Sequence, residues 1–202
     1  MATIDAHHEK NIIRAQLRHN AVLRGIADGA RIELEREFDI VDAHKGEVLL
    51  EQGVRDMVQY FILDGVLKRV VSNAEGKEMI LRFAAEGDME TSYAAWRLGT
   101  PTPYSIVCVT KVRVARLPMP AWIMFIDRHV DFKAAFEFEI MRLMSEIMAH
   151  TITLHLLDAP GRVHRFERKH PELAERLPKK ELAAYLNLSA ETLSRLKQSG
   201  KI

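Results

Sequence analysis

The spacing of hydrophobic and polar positions along this chain changes three times. Between Ile12 and Phe38, the apolar residues Leu23, Ile26, Ala27, Ala30 and Leu34 recur at helical spacing and predict one or two short helices. From about Ile40 to Leu117 the pattern turns to short β-branched and aromatic runs, "GEVLLEQG", "VQYFILDGVLKRVV", "KEMILRF" and "YSIVCVTKVRVARL", separated by glycines and polar turns. Such runs predict a small antiparallel barrel or jelly roll. Asn73 to Gly76, between Val71 and Met79, supply hairpin chemistry, because asparagine and glycine tolerate positive φ. Beyond Pro118 and Pro120 the alternation stops, and a helical pattern free of glycine and proline runs from about Phe132 to Leu157, a rod of roughly 39 Å. Phe136, Ile140, Leu143, Ile147, His150, Leu154 and Leu157 alternate in steps of four and three along it, the a/d seam of a coiled coil. A second stripe, Met141, Met144, Met148, Ile152 and His155, lies beside the first. Two apolar stripes imply two neighbours: the barrel, and the same helix of a second subunit in a two-fold dimer. The alternative is a helix buried within a monomer. Pro160 and Gly161 then break the rod, and the remaining residues read as helical.

The closing stretch, "ELAAYLNLSAETLSRLKQSGKI", carries the most specific local chemistry. Leu182, Ala183 and Leu186 give one helix an apolar face, and Asn187 suits a sharp left-handed turn. Ser189 can cap a new helix, Glu191 in its first turn complements the helix dipole, and Leu188 and Leu193 are spaced as a hydrophobic staple. Leu193 and Leu196 face inward. That leaves Ala190, Glu191, Ser194, Arg195 and Gln198 on the opposite side, and the unit fits a helix-turn-helix. In that geometry Arg195 can donate a bidentate pair to guanine and Glu191 can accept from cytosine. Thr192, Ser189, Lys179 and Lys180 are suited to phosphates. The competing interpretation is a helical hairpin that only caps the fold.

Charge sharpens this picture. The 202 residues carry a net +1, yet from Pro160 onward ten basic residues face five acidic ones, a surplus of +5 that leaves −4 for the rest. A basic tail on an acidic body is the pattern expected of polyanion binding, although a solvated basic surface would look the same. With 48% hydrophobic and 28% charged residues the chain reads as ordinary folded protein. No apolar run reaches the ~18 residues of a membrane helix, and the N-terminus has charges where a signal peptide has its apolar core, so the expected location is the cytoplasm, with no membrane partner. The single cysteine, Cys108, cannot supply an iron–sulfur cluster or a multi-cysteine zinc site. A haem could use His44, His129 or Cys108, but no spacing singles them out; His7 and His8 read as a polar terminus, and no metal site is expected. Between Ile40 and Leu117 only His44 is a histidine, too few for a cupin-type metal enzyme, and there is no GxxxxGK, GxSxG or HExxH motif. A non-catalytic protein is expected.

The runs "KGEVLLEQG", "YFILDGVLKRVV" and "EGKEMILRFAAEGD", the long helix, and "ELAAYLNLSAETLSRLK" together resemble the Crp/Fnr family of bacterial transcription regulators along nearly the whole chain. Gly46, Gly53, Gly65, Gly87 and Asp88 stand where that family's barrel turns. The resemblance implies an α+β chain in three parts: a cyclic-nucleotide-binding-like sensor domain over 1–128, a double-stranded β-helix (jelly roll); a long dimerisation helix over 129–159, pairing through Phe136, Ile140, Leu143, Ile147, His150, Leu154 and Leu157; and a helix-turn-helix over 160–202. It implies operator DNA, a second copy of the chain and RNA polymerase as partners, and contacts to DNA from Glu191 and Arg195. Ala190 replaces a basic residue frequent in the family. With seven residues after Arg195 the tail resembles a short wingless subgroup. The pocket departs further. Family members that bind cyclic AMP hold its ribose with a Gly-Glu pair and its phosphate with an arginine before Ser or Thr, whereas here Thr91 and Ser92 replace the first pair and Tyr104 precedes Ser105. Losing both anchors removes most affinity for a cyclic nucleotide. Thr91, Ser92, Tyr104, Ser105, Arg82 and Trp96 are thus expected to line a pocket for a different small molecule, with Arg82 or Arg97 as substitute cations. A ligand-binding or interaction module with a vestigial helix-turn-helix is the alternative function.

Overall fold

The structure, a computed structural model, describes residues 2–202. Helices α1 (Lys10–His19) and α2 (Asp28–Glu37) bury Ile13, Leu17, Ala30 and Leu34, the face their helical spacing marks out. Nine strands follow the order β1 (Ala2–Thr3), β2 (Asp39–Ala43), β3 (Val48–Leu50), β4 (Val58–Asp64), β5 (Leu67–Ser72), β6 (Glu78–Ala84), β7 (Met89–Glu90), β8 (Ser105–Cys108) and β9 (Val112–Pro118). They form two antiparallel sheets, β1-β2-β9-β4-β7 and β3-β8-β5-β6. Apart from the two-residue β1, this is an eight-stranded sandwich.

The alternation of the strands decides what each face covers. Tyr60 and Ile62 of β4 point between the sheets, where they meet Leu67, Ile106, Val112 and Val114. Phe61 and Leu63 of the same strand point the other way, into a core closed by α1, α2 and the helices after β9. The outer face of the second sheet carries Val66, Val70, Ile80 and Phe83, which the C-terminal helices cover. At the β5–β6 hairpin the Asn73 side chain accepts from the amides of Glu75 and Lys77 at 3.1 and 2.8 Å, and Gly76 takes φ +78°. Gly65 sits at φ +89° with room for no side chain: a Cβ there would lie 2.2 Å from the Lys111 carbonyl oxygen.

A short helix, α3 (Tyr93–Leu98), lies between β7 and β8, and after β9 Pro118 and Pro120 open helix α4 (Met119–Arg128). A break at His129 separates it from α5 (Val130–Leu156), which spans 27 residues, about 40 Å. Trp122 anchors the two to the barrel, with Phe61, Phe132 and Phe136 edge-on to its ring. The tail comprises α6 (Ala159–Lys169), α7 (Pro171–Arg176), α8 (Lys179–Tyr185) and α9 (Ala190–Gln198). Pro160 and Gly161 do not make the break after α5. They lie in the first turn of α6, where proline costs no hydrogen bond, and the chain turns instead at extended Leu157, with the Asp158 carboxylate capping the Gly161 amide at 2.9 Å.

The register of α5 corrects the expected dimer seam. Phe136 is fully buried and Leu143 nearly so within their own chain, Ile140 and Ile147 are half-buried against the barrel, and His150 is stacked on a tyrosine of the tail. Leu154 is half-buried as well, and Leu157 lies beyond the helix. The stripe turned outward is Phe138, Met141, Ser145, Met148, Ile152 and His155, all exposed and spaced in alternating threes and fours.

Candidate functional site

Two regions carry the chemistry: the mouth of the sandwich under α5, and the outer face of the tail. At the mouth, Arg69 of β5 and Arg82 of β6 belong to one sheet and Glu90 of β7 to the other. The Glu90 carboxylate is fully buried and both oxygens are used. Its Oε2 accepts from Arg69 Nε and Nη2 at 2.9 and 2.6 Å, and its Oε1 from Arg82 Nη1 at 2.7 Å. Arg82 Nη2 also reaches Asp88 at 3.3 Å, so two guanidiniums meet two carboxylates and the cluster is charge-balanced. Tyr104 lies across the guanidinium of Arg69, 4.1 Å from ring centroid to carbon, and donates its hydroxyl to the Thr91 carbonyl at 2.5 Å. Burial raises the pKa of that hydroxyl, which keeps it a donor.

The expected pocket residues separate accordingly. Thr91 and Tyr104 line a cavity of about 180 Å3 between the barrel mouth and α5. Ser92 is wholly buried, with its hydroxyl near that of Thr102. The hydroxyl of Ser105 instead accepts from the Gln52 amide at 2.9 Å, and Trp96 packs against the helical core. Arg82 is no substitute for a phosphate anchor, because Glu90 and Asp88 already hold it; Arg97 lies over the Tyr93 ring, 5.9 Å from its centroid. Arg69 and Glu90 were not anticipated. The available signal was Arg69 standing two residues after Leu67, on the inward face of an apolar strand. Of the conceivable haem ligands, His44 is exposed, Cys108 is buried with its thiol pushed up to about 11 by desolvation, and His129 pairs with Glu33 at 3.2 Å. His7, His8 and Glu9 are within metal-sharing distance of one another, but His7 Nδ1 accepts from the Glu9 amide and the Glu9 carboxylate is held by Arg113.

In the tail, α8 and α9 are joined at Asn187, the one non-glycine residue with positive φ, +54°, among those described. Ser189 Oγ accepts from the Thr192 amide at 3.0 Å and caps α9. Leu193 and Leu196 are buried and Leu188 is half-buried beside them. Ala190, Glu191, Arg195 and Gln198 are exposed together on the far side, and Ser189, Lys179 and Lys180 are exposed near the helix starts. Among the described residues, the side chains of Glu191, Arg195, Gln198, Lys179 and Lys180 form no hydrogen bond or ion pair. Ser194 departs from this group: half-buried, its hydroxyl donates to the Ala190 carbonyl of its own helix at 2.7 Å. Thr192 is also half-buried and shares a hydrogen bond with Ser189.

The tail is docked on its own barrel. Val163, Phe166, Leu177, Leu182, Tyr185 and Leu186 share a core with Val66, Val70, Ile80 and Phe83. Charges bracket this contact, with Arg176 bidentate to Glu86 at 2.7 and 2.6 Å and Lys68 to Glu181 at 2.9 Å. On the α5 side the His150 ring stacks flat on Tyr185, centroids 3.8 Å apart, and its Nε2 donates to the Tyr185 carbonyl at 3.1 Å. Burial there pushes the histidine pKa down to about 4, with Lys169, His170 and Arg165 adding positive potential.

This geometry can be set beside known proteins. Residues 40–129 match the cyclic nucleotide-binding domain family. That match falls on the sandwich from β2 to β9 and on α4. No curated protein matches the sequence. Among solved structures, the chain is similar to the c-di-GMP-responsive global regulator CLP of Xanthomonas campestris, at TM-score 0.70 and 14% identity over 86% of this chain and 92% of that one. It is similar to FixK2 of Bradyrhizobium japonicum at 0.69 and 16% over 81% and 86%, and to the catabolite activator protein of Thermus thermophilus at 0.57 and 19% over 90% and 88%. These neighbours are Crp/Fnr-type regulators, and at such identities the likeness is one of fold. No helix among the described residues is long and apolar enough to cross a membrane.

Proposed function

We propose that the protein is a homodimeric DNA-binding transcription regulator of the Crp/Fnr type, whose cyclic-nucleotide-binding-type domain does not use cyclic AMP. The observation that carries this reading is the face of α9. A capped helix follows a left-handed turn and presents Glu191, Arg195 and Gln198 to solvent with no hydrogen-bond or ion-pair partner among the described residues, on a tail with a surplus of positive charge. In a helix-turn-helix such a face enters the major groove, where arginine and glutamate read base edges. Thr192, Ser189, Lys179 and Lys180 would then lie toward phosphates. Dimerisation runs through the outward stripe of α5, Phe138 to His155, and places two reading heads one DNA turn apart, about 34 Å. An effector acting at the barrel mouth shifts α5 and with it the heads.

Charge supports an effector other than cyclic AMP. Its phosphate needs an uncompensated cation, and the two arginines of the mouth, buried Arg69 and partly buried Arg82, are both paired with carboxylates of the chain itself. The docked tail supports a second reading, an interaction module in which α8 and α9 only cap the barrel. Mobility shift against genomic fragments separates the two. Saturable binding that weakens steeply between 50 and 200 mM salt is the result expected of a regulator; no shift at low salt with micromolar protein would end that reading in favour of the module.

A further inference from the structure

The cavity under α5 has a composition that names the class of molecule it takes. It is walled by Leu81, Ala94, Ala95, Pro103 and, from α5, Ile140, Leu143, Met144 and Ile147. The polar groups that reach it are almost all satisfied inside the protein. The Thr91 hydroxyl accepts from the Tyr93 amide at 3.2 Å, the Tyr104 hydroxyl is given to the Thr91 carbonyl, and that carbonyl also accepts from Arg69 Nη2 at 3.3 Å. Arg69 lines the cavity too, and its Nη1 is the one nitrogen of that guanidinium with no hydrogen bond. Its charge is already balanced by Glu90.

We propose that this cavity is the effector site and that its ligand is a small, uncharged, mostly apolar molecule carrying one hydrogen-bond-accepting oxygen, such as an aryl or alicyclic ketone, with that oxygen on Arg69 Nη1. This deepens the regulator reading and rests on it for the word effector; the binding itself does not depend on DNA. Size agrees with the class. At about 180 Å3 the space is below the roughly 300 Å3 where sites for drug-sized ligands begin, while an apolar cavity of about 150 Å3 engineered in another protein admits benzene. Charge agrees as well. An anion entering here would be desolvated against a cluster whose net charge is already zero, whereas a neutral acceptor uses the free donor without that cost.

The test is binding to the full chain without DNA, by calorimetry and by the Met144 methyl resonance at the cavity wall. The probes are acetophenone, ethylbenzene as its hydrocarbon counterpart, benzoate as its anionic counterpart, and cyclic AMP. Acetophenone is expected to bind and shift the Met144 signal, at least about tenfold more tightly than ethylbenzene. Benzoate and cyclic AMP are expected not to saturate. Ala95→Leu and Ile147→Phe each fill the space from a different wall, and whichever of them keeps the wild-type circular dichroism should lose acetophenone binding. The proposal is overturned if acetophenone fails to bind up to its solubility limit, if benzoate binds as well as the ketone, if ethylbenzene matches acetophenone, or if a folded cavity-filled variant still binds it. None of these outcomes bears on the mobility shift, so the ligand and the DNA-binding reading fail separately.

Discussion

Neutralising Glu90 is expected to be among the most damaging conservative changes in the barrel. In Glu90→Gln the shape is kept and the charge is lost. The carboxylate accepts three charged hydrogen bonds of 2.6 to 2.9 Å, two from an arginine that is itself 3% exposed. An amide has one acceptor oxygen, so whichever guanidinium meets the new NH2 faces a donor. If that is Arg69, a buried cation keeps only the Thr91 carbonyl and the Tyr104 ring. Stranding one member of a buried ion pair costs about 3–5 kcal/mol, and the isosteric amide belongs near the lower end, about 3 kcal/mol. The loss is read from urea unfolding, with the m-value unchanged if both variants unfold as one unit. Arg82 sits nearer the rim and shares Asp88, so Arg82→Gln should cost less, about 1–2 kcal/mol. The decisive measurement is the double variant Arg69→Met with Glu90→Gln. Removing the stranded cation should make the pair of changes at least about 2 kcal/mol less costly than their sum. A loss under about 1 kcal/mol for Glu90→Gln, or additivity of the two changes, would refute the assignment of this cluster as a desolvated clamp between the sheets.

The remaining expectations concern the tail and the outer stripe. Arg195→Ala should lower DNA affinity about 10- to 100-fold in fluorescence anisotropy while changing the melting temperature little, since that side chain is exposed and makes no hydrogen bond or ion pair among the described residues; an unchanged affinity removes the base-reading role. Met148→Glu should convert a dimer to a monomer in sedimentation equilibrium, because two like charges would meet on the exposed seam; a persisting dimer places the interface elsewhere. His150 is held down to about 4 in the docked state from an ordinary value of 6.5, so docking is at full strength above pH 6.5 and weakens as pH falls toward 4, by up to about 2 kcal/mol at pH 5. Hydrogen exchange of α8 should therefore quicken between pH 7 and pH 5 after correction for intrinsic rates, and His150→Phe, which keeps the stack, should reduce that dependence, the remainder coming from His170 of the same cleft, whose pKa burial also lowers.

The sandwich was legible because strand alternation is a local property: the runs between Ile40 and Leu117 mark their own inner and outer faces. The α8–α9 turn was legible for the same kind of reason, since Asn187 and Ser189 each do one thing that few other residues do as well, a left-handed backbone and a side-chain cap. The facing of α5 was not. Both of its stripes are apolar, and which one turns inward depends on Tyr104, Leu81 and Tyr185, residues of distant segments that the helix's own sequence does not mention. The Arg69–Glu90 pair was missed for a related reason. Its members are 21 positions apart on strands of different sheets, and nothing in either run announces the other. Docking of the tail went unread because Val70, Ile80 and Phe83 look, strand by strand, like residues of the inter-sheet core; only the observed faces assign them to the outer surface.

The same helix touches the cavity and the tail within a single turn. Ile147 lines the cavity and His150, three positions and about 4.5 Å further along the axis, carries the stack on Tyr185. Leu81 and Ile147 are also shared: on one side they wall the cavity, and on the other they line the cleft of α5, β6 and the tail that holds Arg165, Lys169 and His170. A molecule that fills the cavity cannot move these two side chains without disturbing the surface on which the tail rests, because packed interiors transmit displacement rather than absorb it. The contact opposite them is the flat, close-fitting His150–Tyr185 stack, whose attraction fades with a shift of less than an ångström. Coupling between the mouth and the docked tail thus needs no long pathway through the barrel. It requires only that Ile147 and Leu81 have two positions, one with the cavity empty and one with it occupied.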